Sequence, residues 1–251
     1  MKNKAVLGID IGGSGIKGAP VNIKTGMLLE DRHRIPTPNP STPENVAKTI
    51  KELVKHFKWN GAIGCGFPAV VQNGIIKTAA NIDKSWINTD AAGLFSKVTK
   101  LPVYVLNDAD AAGLAEVKLG AGKGFKGAIV VMTIGTGIGS SLFIKGRLYP
   151  NTEIGHLEFR GKDAEMYASD AARKKEDLDW KDWGKRLNEY LGYIEFLFWP
   201  EMIILGGGAS KKLDLFKDQF NLKAKIVPAH FLNEAGIIGA AMAAKVNLKK
   251  L

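Results

Sequence analysis

The chain has 251 residues, with 35 lysines and arginines against 25 aspartates and glutamates, so its formal net charge at pH 7 is +10. Apolar residues make up 45% and charged residues 24%, a composition typical of globular proteins that excludes disordered and fibrous classes. The apolar runs fall far short of the ~20 residues that span a bilayer, and no signal-peptide pattern opens the chain. A single cysteine, Cys65, excludes an intramolecular disulfide and a cysteine-rich zinc site. We expect a cytoplasmic protein without a membrane partner.

Strands and helices alternate along the first half of the chain, which is the pattern of an α/β protein. The apolar segment Ala5–Ile11 predicts a buried strand, and two further strands complete a three-stranded meander. Thr42, Pro43 and Glu44 then form a helix start, because proline is frequent at the first helical position after a hydroxyl cap. The remaining predicted elements of this half are strands at 16–23, 27–35, 62–67 and 103–106 and helices at 43–57 and 91–98.

The same order of elements restarts in the second half. An apolar strand again breaks into a glycine-rich turn, and the turns at Gly12 and Gly135 lie about half the chain apart. This repeat predicts two related α/β lobes, 1–106 and 107–251, with the ligand site in the cleft between them. The C-terminal helix at 233–248 is expected to pack back on the first lobe. The predicted elements of this half are strands at 127–134, 138–144 and 202–205 and helices at 180–198 and 233–246.

Glycine is frequent, with 29 residues, and many of them lie in three clusters that each follow an apolar strand. Turns without side chains let several main-chain N–H groups point at one anion, and Ser14 and Thr136 add hydroxyl donors. We interpret the clusters as phosphate-binding turns, with ordinary hairpin turns as the alternative. None has the pattern of a P-loop or of a dinucleotide-binding fold. The candidate phosphate-binding residues are Gly12, Gly13, Ser14, Gly15, Lys17, Gly135, Thr136 and Gly137, and the third cluster is Gly206, Gly207 and Gly208.

Two charged residues belong to the first cluster. A carboxylate facing phosphate is repelled unless a cation or water lies between them, so we assign Asp10 to the positioning of Mg²⁺ through water. Capping of its own turn is the alternative role of Asp10. Lys17 lies three residues after Ser14 and is either a phosphate ligand or a solvated residue of a strand.

A further group of polar residues suits a sugar and its phosphorylation. Asn107 and Asp108 stand where a strand ends and a helix begins, so Asp108 is either a helix N-cap or a general base for a hydroxyl that attacks phosphorus. Glu153, His156 and Glu165 bring two carboxylates and an imidazole close together in the sequence. Such groups suit the neighbouring hydroxyls of a sugar, whereas a histidine such as His156, taken alone, is more often a hydrogen-bonded structural residue than a ligand.

Five segments together resemble the ROK (repressor, open reading frame, kinase) family of sugar kinases. They are Asp10-Ile-Gly-Gly-Ser, Leu106-Asn-Asp-Ala-Asp-Ala-Ala, Ile134-Gly-Thr-Gly-Ile-Gly, Glu153-Ile-Gly-His and Leu205-Gly-Gly-Gly. Two more, Gly64-Cys-Gly-Phe-Pro-Ala-Val-Val and Thr78-Ala-Ala-Asn-Ile-Asp-Lys-Ser-Trp86, are similar to bacterial polyphosphate glucokinases and polyphosphate/ATP glucomannokinases. The resemblance covers essentially the whole chain. It implies the two-lobed actin/hexokinase/Hsp70-like (ribonuclease H-like) α/β fold, with an active-site cleft between the lobes.

The resemblance also implies roles for individual residues. Asp108 matches the catalytic base that deprotonates the sugar 6-hydroxyl, and Asn107 matches a residue that binds a neighbouring hydroxyl. Glu153 and His156 match the sugar contacts of the family's E-x-G-H motif. The other matches are Glu165 to a glutamate near the anomeric end, Asn81 to a sugar-contacting asparagine, the first two glycine turns to phosphate loops, and the cluster at 206–208 to an adenosine loop.

One segment departs from the family pattern. Many members follow the motif histidine with a C-x-C-G-x-x-G-C zinc segment, whereas His156 is followed here by Leu-Glu-Phe-Arg-Gly-Lys-Asp-Ala. We therefore expect no structural zinc, and we expect a hydrogen bond to orient His156 instead. Polyphosphate glucokinases share this departure.

The activity that the resemblance implies is a Mg²⁺-dependent transfer of the terminal phosphoryl group of inorganic polyphosphate to the 6-hydroxyl of glucose, with ATP as a second donor. An ATP-dependent ROK hexokinase or glucomannokinase is the alternative that the cluster at 206–208 keeps open. ROK repressors carry a DNA-binding domain ahead of the sugar-binding part, whereas the first predicted strand begins here at Ala5. We therefore do not expect a repressor. No motif supports a nucleic-acid partner, and we expect a homodimer.

The net charge of +10 has two interpretations, a solvated lysine-rich surface or a track that leads a polyanionic donor to the site. A track predicts that the affinity for long polyphosphate falls with salt while the affinity for glucose does not. The candidate track residues are Lys123, Lys126, Arg173, Lys174, Lys175, Lys211 and Lys212.

Overall fold

The computed structural model describes residues 5–80 and 82–248. They form two compact units. Unit 1 runs to Ala115 and resumes at Glu234, and unit 2 comprises Glu116–Asn233. Among the described residues, no helix combines the length and the apolar character needed to cross a membrane.

Unit 1 contains a five-stranded sheet covered by helices. Its elements, numbered along the whole chain, are β1 (Ala5–Ile11), β2 (Ile16–Asn22), β3 (His33–Ile35), β4 (Ile63–Phe67), β5 (Val71–Gln72), β6 (Ile75–Ile76), β7 (Val103–Asn107), α1 (Pro43–His56), α2 (Ala91–Thr99), α3 (Asp108–Lys118) and α7 (Ala235–Asn247). The sheet order is β3-β2-β1-β4-β7. Helix α7 packs closely on β1 and β4, and a Cβ added at Gly64 would lie 3.0 Å from the main-chain nitrogen of Ala241. Close approach of this helix therefore requires a glycine in β4.

Unit 2 contains a second five-stranded sheet. Its elements are β8 (Ala128–Ile134), β9 (Ile138–Ile144), β10 (Arg147–Tyr149), β11 (Glu158–Phe159), β12 (Lys162–Asp163), β13 (Met202–Gly206), β14 (Lys225–Pro228), α4 (Glu165–Ala168), α5 (Asp170–Lys175) and α6 (Trp180–Phe198). The sheet order is β10-β9-β8-β13-β14. Buried residues of α6, including Trp183, Leu187 and Tyr190, join the apolar core beneath this sheet.

The two sheets repeat one topology. In each, the first strand pairs antiparallel with the second, the second pairs antiparallel with the third, and the first pairs parallel with the fourth. The first glycine turn joins β1 to β2 and the second joins β8 to β9, with Ile11 opposite Ile16 and Ile134 opposite Ile138. The internal repeat predicted from the two turns is confirmed.

Most predicted elements are present within one or two residues of their predicted ends, and Thr42 caps α1 by accepting from the Asn45 N–H over 3.4 Å. The strand predicted at 27–35 is wrong over most of its length, since only β3 and a single bridge between Val21 and Leu28 form. Met27 and Leu29 are exposed, so this segment has no apolar face to hold it against the sheet.

The two units divide at a different point from the predicted boundary. That boundary lies between Leu106 and Asn107, whereas the units divide after Ala115, inside α3. The reason is packing: Asn107 ends a strand of the unit 1 sheet, and Gly239 of α7 lies directly against the main chain of Ala111. Asp108, predicted in the C-terminal lobe, therefore belongs to unit 1, as does α7.

Candidate active site

The first glycine turn presents main-chain N–H groups at the surface of unit 1. The Gly12 N–H donates to the Gly15 carbonyl over 3.1 Å, and the Gly12 carbonyl accepts from Thr37 Oγ1 over 2.5 Å. Gly13 and Ser14 are exposed, and their N–H groups meet no acceptor within the described part of the chain. These two donors are therefore suited to an anion.

Asp10 and Lys17, both predicted site residues, stand opposite each other on β1 and β2. Lys17 Nζ lies 3.4 Å from Asp10 Oδ2, so the two side chains form an ion pair beside the turn. Burial raises the pKa of Asp10 above its ordinary value, although the charges of Lys17 and Arg32 oppose this. Lys17 thus has a partner within the protein that its predicted role as a phosphate ligand did not include.

Arg34 is a third charged residue beside the first turn, and no motif of the sequence points to it. It lies on β3 directly opposite Lys17. Arg34 Nη2 donates to the Ser14 carbonyl over 2.5 Å. The guanidinium lies so close to Gly15 that an added Cβ would come within 2.7 Å of Arg34 Cζ. The strand register is the signal that reveals it, because it aligns Arg34 with Lys17 and Asp10.

Asp108 begins α3 directly after β7, and its neighbour Asn107 caps the helix. Asn107 Oδ1 accepts from the Asp110 N–H over 2.9 Å, and Asn107 Nδ2 donates to the Ala69 carbonyl over 3.1 Å. Asp108 Oδ1 accepts from the Ala109 N–H over 2.8 Å. The N-cap role considered for Asp108 is therefore filled by Asn107, which holds the half-buried Asp108 at the end of the strand.

The second glycine turn lies against the carboxylate of Glu165. The Gly135 N–H donates to the Gly137 carbonyl over 3.0 Å, and the Gly135 carbonyl accepts from the Ala171 N–H over 3.1 Å. Glu165 Oε2 accepts from the Ile138 N–H over 3.1 Å, and a Cβ added at Gly137 would collide with that oxygen. The glutamate predicted to bind sugar therefore also braces the second turn.

The third glycine cluster lies beside the second turn. Gly207 has a φ of +80°, and a Cβ added there would lie 2.7 Å from the main-chain nitrogen of Ile134, the last residue of β8. Gly208 is exposed, with open space around it, and Thr136 is exposed on the second turn. Residues of two predicted donor-binding clusters thus lie near one another in unit 2.

Glu153 directly precedes a short 3₁₀ turn, Ile154–His156, and His156 is the last residue of that turn. Two buried side chains position this turn: Ser140 Oγ accepts from the Ile154 N–H over 3.1 Å, and Tyr190 donates its hydroxyl to the Ile154 carbonyl over 3.0 Å. His156 Nε2 lies 4.0 Å from Glu153 Oε2. Both ends of the E-x-G-H motif are therefore presented from a rigid support.

The hydrogen bond expected to orient His156 is made by Asp163, whose Oδ2 lies 3.0 Å from His156 Nδ1. This hydrogen bond is the main reason why the pKa of His156 is raised above its ordinary value, and Glu165 and Glu153 add to the effect against burial. Burial in turn raises the pKa of Glu153, and Glu165 raises it further. The three predicted sugar-binding residues of unit 2 therefore share one electrostatic neighbourhood.

Asp163 was not singled out from the sequence, although it lies in the segment that replaces the zinc motif. Strands β11 and β12 form a two-residue hairpin in which Asp163 stands opposite Glu158. The hairpin returns Asp163 to the side of His156. A pair of two-residue strands has no periodic pattern, so the sequence offered no signal that distinguishes Asp163 from Glu158.

The predicted track residues differ in their surroundings. Arg173 Nε lies 2.8 Å from Asp170 Oδ1, and the guanidinium carbon lies 4.0 Å from the centre of the Trp180 ring. Lys174 Nζ lies 2.7 Å from Asp170 Oδ2. Arg173 is thus largely committed to packing within unit 2, whereas the candidates that are exposed and have no ion pair within the described residues are Lys123, Lys126, Lys175, Lys211 and Lys212.

A cavity of 380 Å³ opens in unit 2 among Leu213, Phe220 and Ile226, with Lys217 and Asp218 in its lining. None of the predicted site residues lines it.

Asn81, a predicted sugar contact, lies outside the described residues. In the described ranges, no three His, Cys, Asp or Glu side chains converge in a way that could hold a metal ion.

A comparison with known families matches residues 6–169, well over half of the chain, to the ROK family. The chain belongs to the ROK family. The resemblance inferred from the five segments and the expected α/β, actin/hexokinase-like fold are confirmed.

Among ROK proteins, a polyphosphate glucokinase of Mycobacterium tuberculosis is 48% identical over 237 residues, which cover 94% of this chain and 89% of that protein. The crystal structure of inorganic polyphosphate/ATP-glucomannokinase from Arthrobacter sp. strain KM has a TM-score of 0.91 and 47% identity, and the match covers 96% of this chain and 98% of that one. A ROK family glucokinase from Streptomyces griseus, in complex with glucose and AMPPNP, has a TM-score of 0.81, with 97% and 100% coverage. At 24% identity it supports the fold alone.

Proposed function

We propose that the chain is a polyphosphate glucokinase that transfers the terminal phosphoryl group of inorganic polyphosphate to the 6-hydroxyl of glucose. The observation that carries this proposal is the 48% identity to a polyphosphate glucokinase across 94% of the chain. The glycine turns and the cluster of Glu153, His156 and Glu165 supply the chemistry that such a reaction needs. The products are glucose 6-phosphate and a polyphosphate shorter by one unit.

Sugar recognition is assigned to Asn107 and to the acidic cluster of unit 2. Glu153 and Glu165 offer carboxylate oxygens to hydroxyl donors, and His156 offers Nε2 while Asp163 holds its Nδ1. Asn107 keeps one amide N–H beyond the one donated to Ala69, and this group suits a hydroxyl oxygen. Asn81 is proposed as a further contact on the strength of the family resemblance.

Asp108 is the proposed general base. It accepts the proton of the 6-hydroxyl as the sugar oxygen forms its bond to phosphorus, and the bond from phosphorus to the bridging oxygen of the donor breaks. The bonding electrons leave with the shortened polyphosphate. The N–H groups of the glycine turns stabilise the charge on the transferred phosphoryl oxygens.

Mg²⁺ is proposed as the accompanying cation, because it binds phosphate substrates through one or two carboxylates together with phosphate oxygens and water. Asp10, beside the first turn, is the carboxylate that fits this mode. Bound Mg²⁺ would neutralise charge on the donor phosphates. Since no cluster of three acidic, histidine or cysteine side chains able to hold a metal occurs in the described residues, the donor itself would have to supply part of the coordination.

The test is a coupled assay that detects glucose 6-phosphate with long-chain polyphosphate or ATP as the donor, at two salt concentrations. Turnover with polyphosphate is expected, with a donor KM that rises with salt and a glucose KM that does not. Turnover with ATP alone would favour the alternative, an ATP-dependent ROK hexokinase. If no glucose 6-phosphate forms with polyphosphate or with ATP, the proposal is refuted.

ATP is proposed as a second donor because of the third glycine cluster. Gly207 packs against the end of β8, next to the second turn, and the exposed Gly208 leaves space for a nucleoside. The similar Arthrobacter enzyme is named for use of both donors.

The predicted homodimer stays a prediction, which sedimentation of the purified chain would test.

A further inference from the structure

The first glycine turn carries positive charge that its surroundings do not neutralise. Lys17 and Arg34 stand opposite each other on β2 and β3, and like charges so placed repel each other. Asp10 forms an ion pair with Lys17. Arg34 has no carboxylate partner among residues 5–80 and 82–248. An anion from solution is the natural complement of this arrangement.

Arg34 is held at the turn by a specific contact. Nη2 donates to the Ser14 carbonyl over 2.5 Å, and the missing side chain of Gly15 makes room for the guanidinium. A guanidinium has five N–H donors, of which this bond uses one. The other donors keep the fork geometry that binds two oxygens of one phosphate.

The main chain supplies further donors at the same place. The N–H groups of Gly13 and Ser14 have no acceptor within the described part of the chain, whereas the carbonyls of Gly12, Ser14 and Gly15 each accept a hydrogen bond. Because these three carbonyls already accept hydrogen bonds, the turn presents mainly N–H donors to an anion, and few free carbonyl oxygens would repel it. A cationic fork and main-chain N–H groups are the kinds of donors that bind phosphate in proteins.

We propose that Arg34 binds phosphate oxygens of the phosphoryl donor at the first glycine turn and so sets the affinity for the donor. The donor class is a phosphoanhydride chain, whether inorganic polyphosphate or the triphosphate of ATP. The identity of this donor rests on the proposed function. The anion site itself rests on the geometry of the turn.

Four variants separate the contributions of Arg34. Arg34→Ala removes the side chain, Arg34→Lys keeps the charge without the fork, and Arg34→Gln keeps a shorter, polar N–H donor without the charge. Arg147→Ala is the matched control, because Arg147 is exposed on β10, which has the place in the unit 2 sheet that β3 has in unit 1. KM for polyphosphate, ATP and glucose is measured for each variant at two salt concentrations.

Arg34→Ala is expected to raise the donor KM about 10- to 100-fold, the range for loss of charged hydrogen bonds, and to leave the glucose KM unchanged. Its donor KM should also depend less steeply on salt than that of the wild type. Arg34→Lys should be intermediate, Arg34→Gln should resemble Arg34→Ala, and Arg147→Ala should resemble the wild type. A wild-type donor KM in Arg34→Gln would overturn the proposal, as would an equal rise in donor and glucose KM.

Calorimetric titration with inorganic tripolyphosphate tests the anion site without catalysis. Weaker binding to Arg34→Ala than to the wild type and to Arg147→Ala is expected even if no glucose 6-phosphate forms in any assay. That combination would refute the proposed function and uphold the anion site. Equal binding by all three proteins would refute the role of Arg34, whatever the activity.

Discussion

The two glycine turns share a main-chain design, but the side chains that lie against them have opposite charges. Each joins the first two strands of a sheet, and each is closed by a main-chain hydrogen bond, from Gly12 to Gly15 or from Gly135 to Gly137. The side chain against the first turn is the guanidinium of Arg34. The side chain against the second is the carboxylate of Glu165, which also accepts a main-chain N–H.

This difference shows that a repeated backbone motif does not imply a repeated ligand contact. A phosphate near the first turn gains a cation, whereas a phosphate near the second turn must tolerate a carboxylate that suits hydroxyl donors better. We therefore expect changes at the first turn to act on the donor and changes at the side chain that braces the second turn to act on the sugar. Alanine substitutions at the two turns test this division directly, whereas changes at Asp108 and Asp163 test the proposed base and the support of His156.

The largest effect is expected at Asp108, whose proposed role as the base does not depend on the division between donor and sugar contacts. Asp108→Asn removes the base while its amide oxygen can still accept from the Ala109 N–H, so binding at both turns should persist. Turnover should fall by about 10²- to 10⁴-fold, the usual range for general-base catalysis, with little change in either KM. Asp177→Asn, at an exposed position, is the control in the coupled assay. Near-normal turnover of Asp108→Asn would remove the assignment.

A smaller effect is expected from adding one methyl group at each turn. Gly15→Ala should displace Arg34 and raise the donor KM about tenfold, and Gly137→Ala should displace Glu165 and raise the glucose KM to a similar degree. Neither glycine has a positive φ, so the new methyl group acts through these contacts. Steady-state kinetics with each substrate varied in turn measures both values.

Gly192→Ala controls for this pair of changes, because a Cβ at that helical position would lie 3.8 Å from Leu222, an ordinary contact. It should leave both KM values unchanged. A rise in the same KM for Gly15→Ala and Gly137→Ala would show that the two turns act on one ligand, and the contrast drawn between them would fail.

The repeat itself was predictable because each half shows the same succession of long apolar strands and glycine turns, and strands of this length have a clear pattern. Arg34 and Asp163 were not predictable, because their positions depend on pairing between short strands. β3 has three residues, and β12 has two. The position of Asp108 at the end of β7 followed from local pattern, whereas its place in unit 1 depends on the packing of α7, which is distant in the sequence.

The smallest effect is expected from the hydrogen bond by which Asp163 holds His156, in the same electrostatic neighbourhood as Glu165. Because the folded-state pKa of His156 is raised, the pair stabilises the fold fully below about pH 6.5, the ordinary histidine value, and this contribution is lost as the pH rises through the raised pKa. Asp163→Asn should therefore lower stability at pH 6 more than at pH 8. Since the two side chains are 41% and 51% exposed, the difference should be only a few tenths of a kcal/mol.

Chemical denaturation at the two pH values measures this difference, and NMR titration of the His156 ring should show a lower pKa in Asp163→Asn than in the wild type. Asp177→Asn again serves as the control, because its exposed carboxylate has no ion pair in the described residues. A stability loss that is equal at pH 6 and pH 8 would mean that Asp163 acts through packing of the β11–β12 hairpin. The acidic cluster would then have to orient His156 without the charge of Asp163, through Glu153 and Glu165 alone.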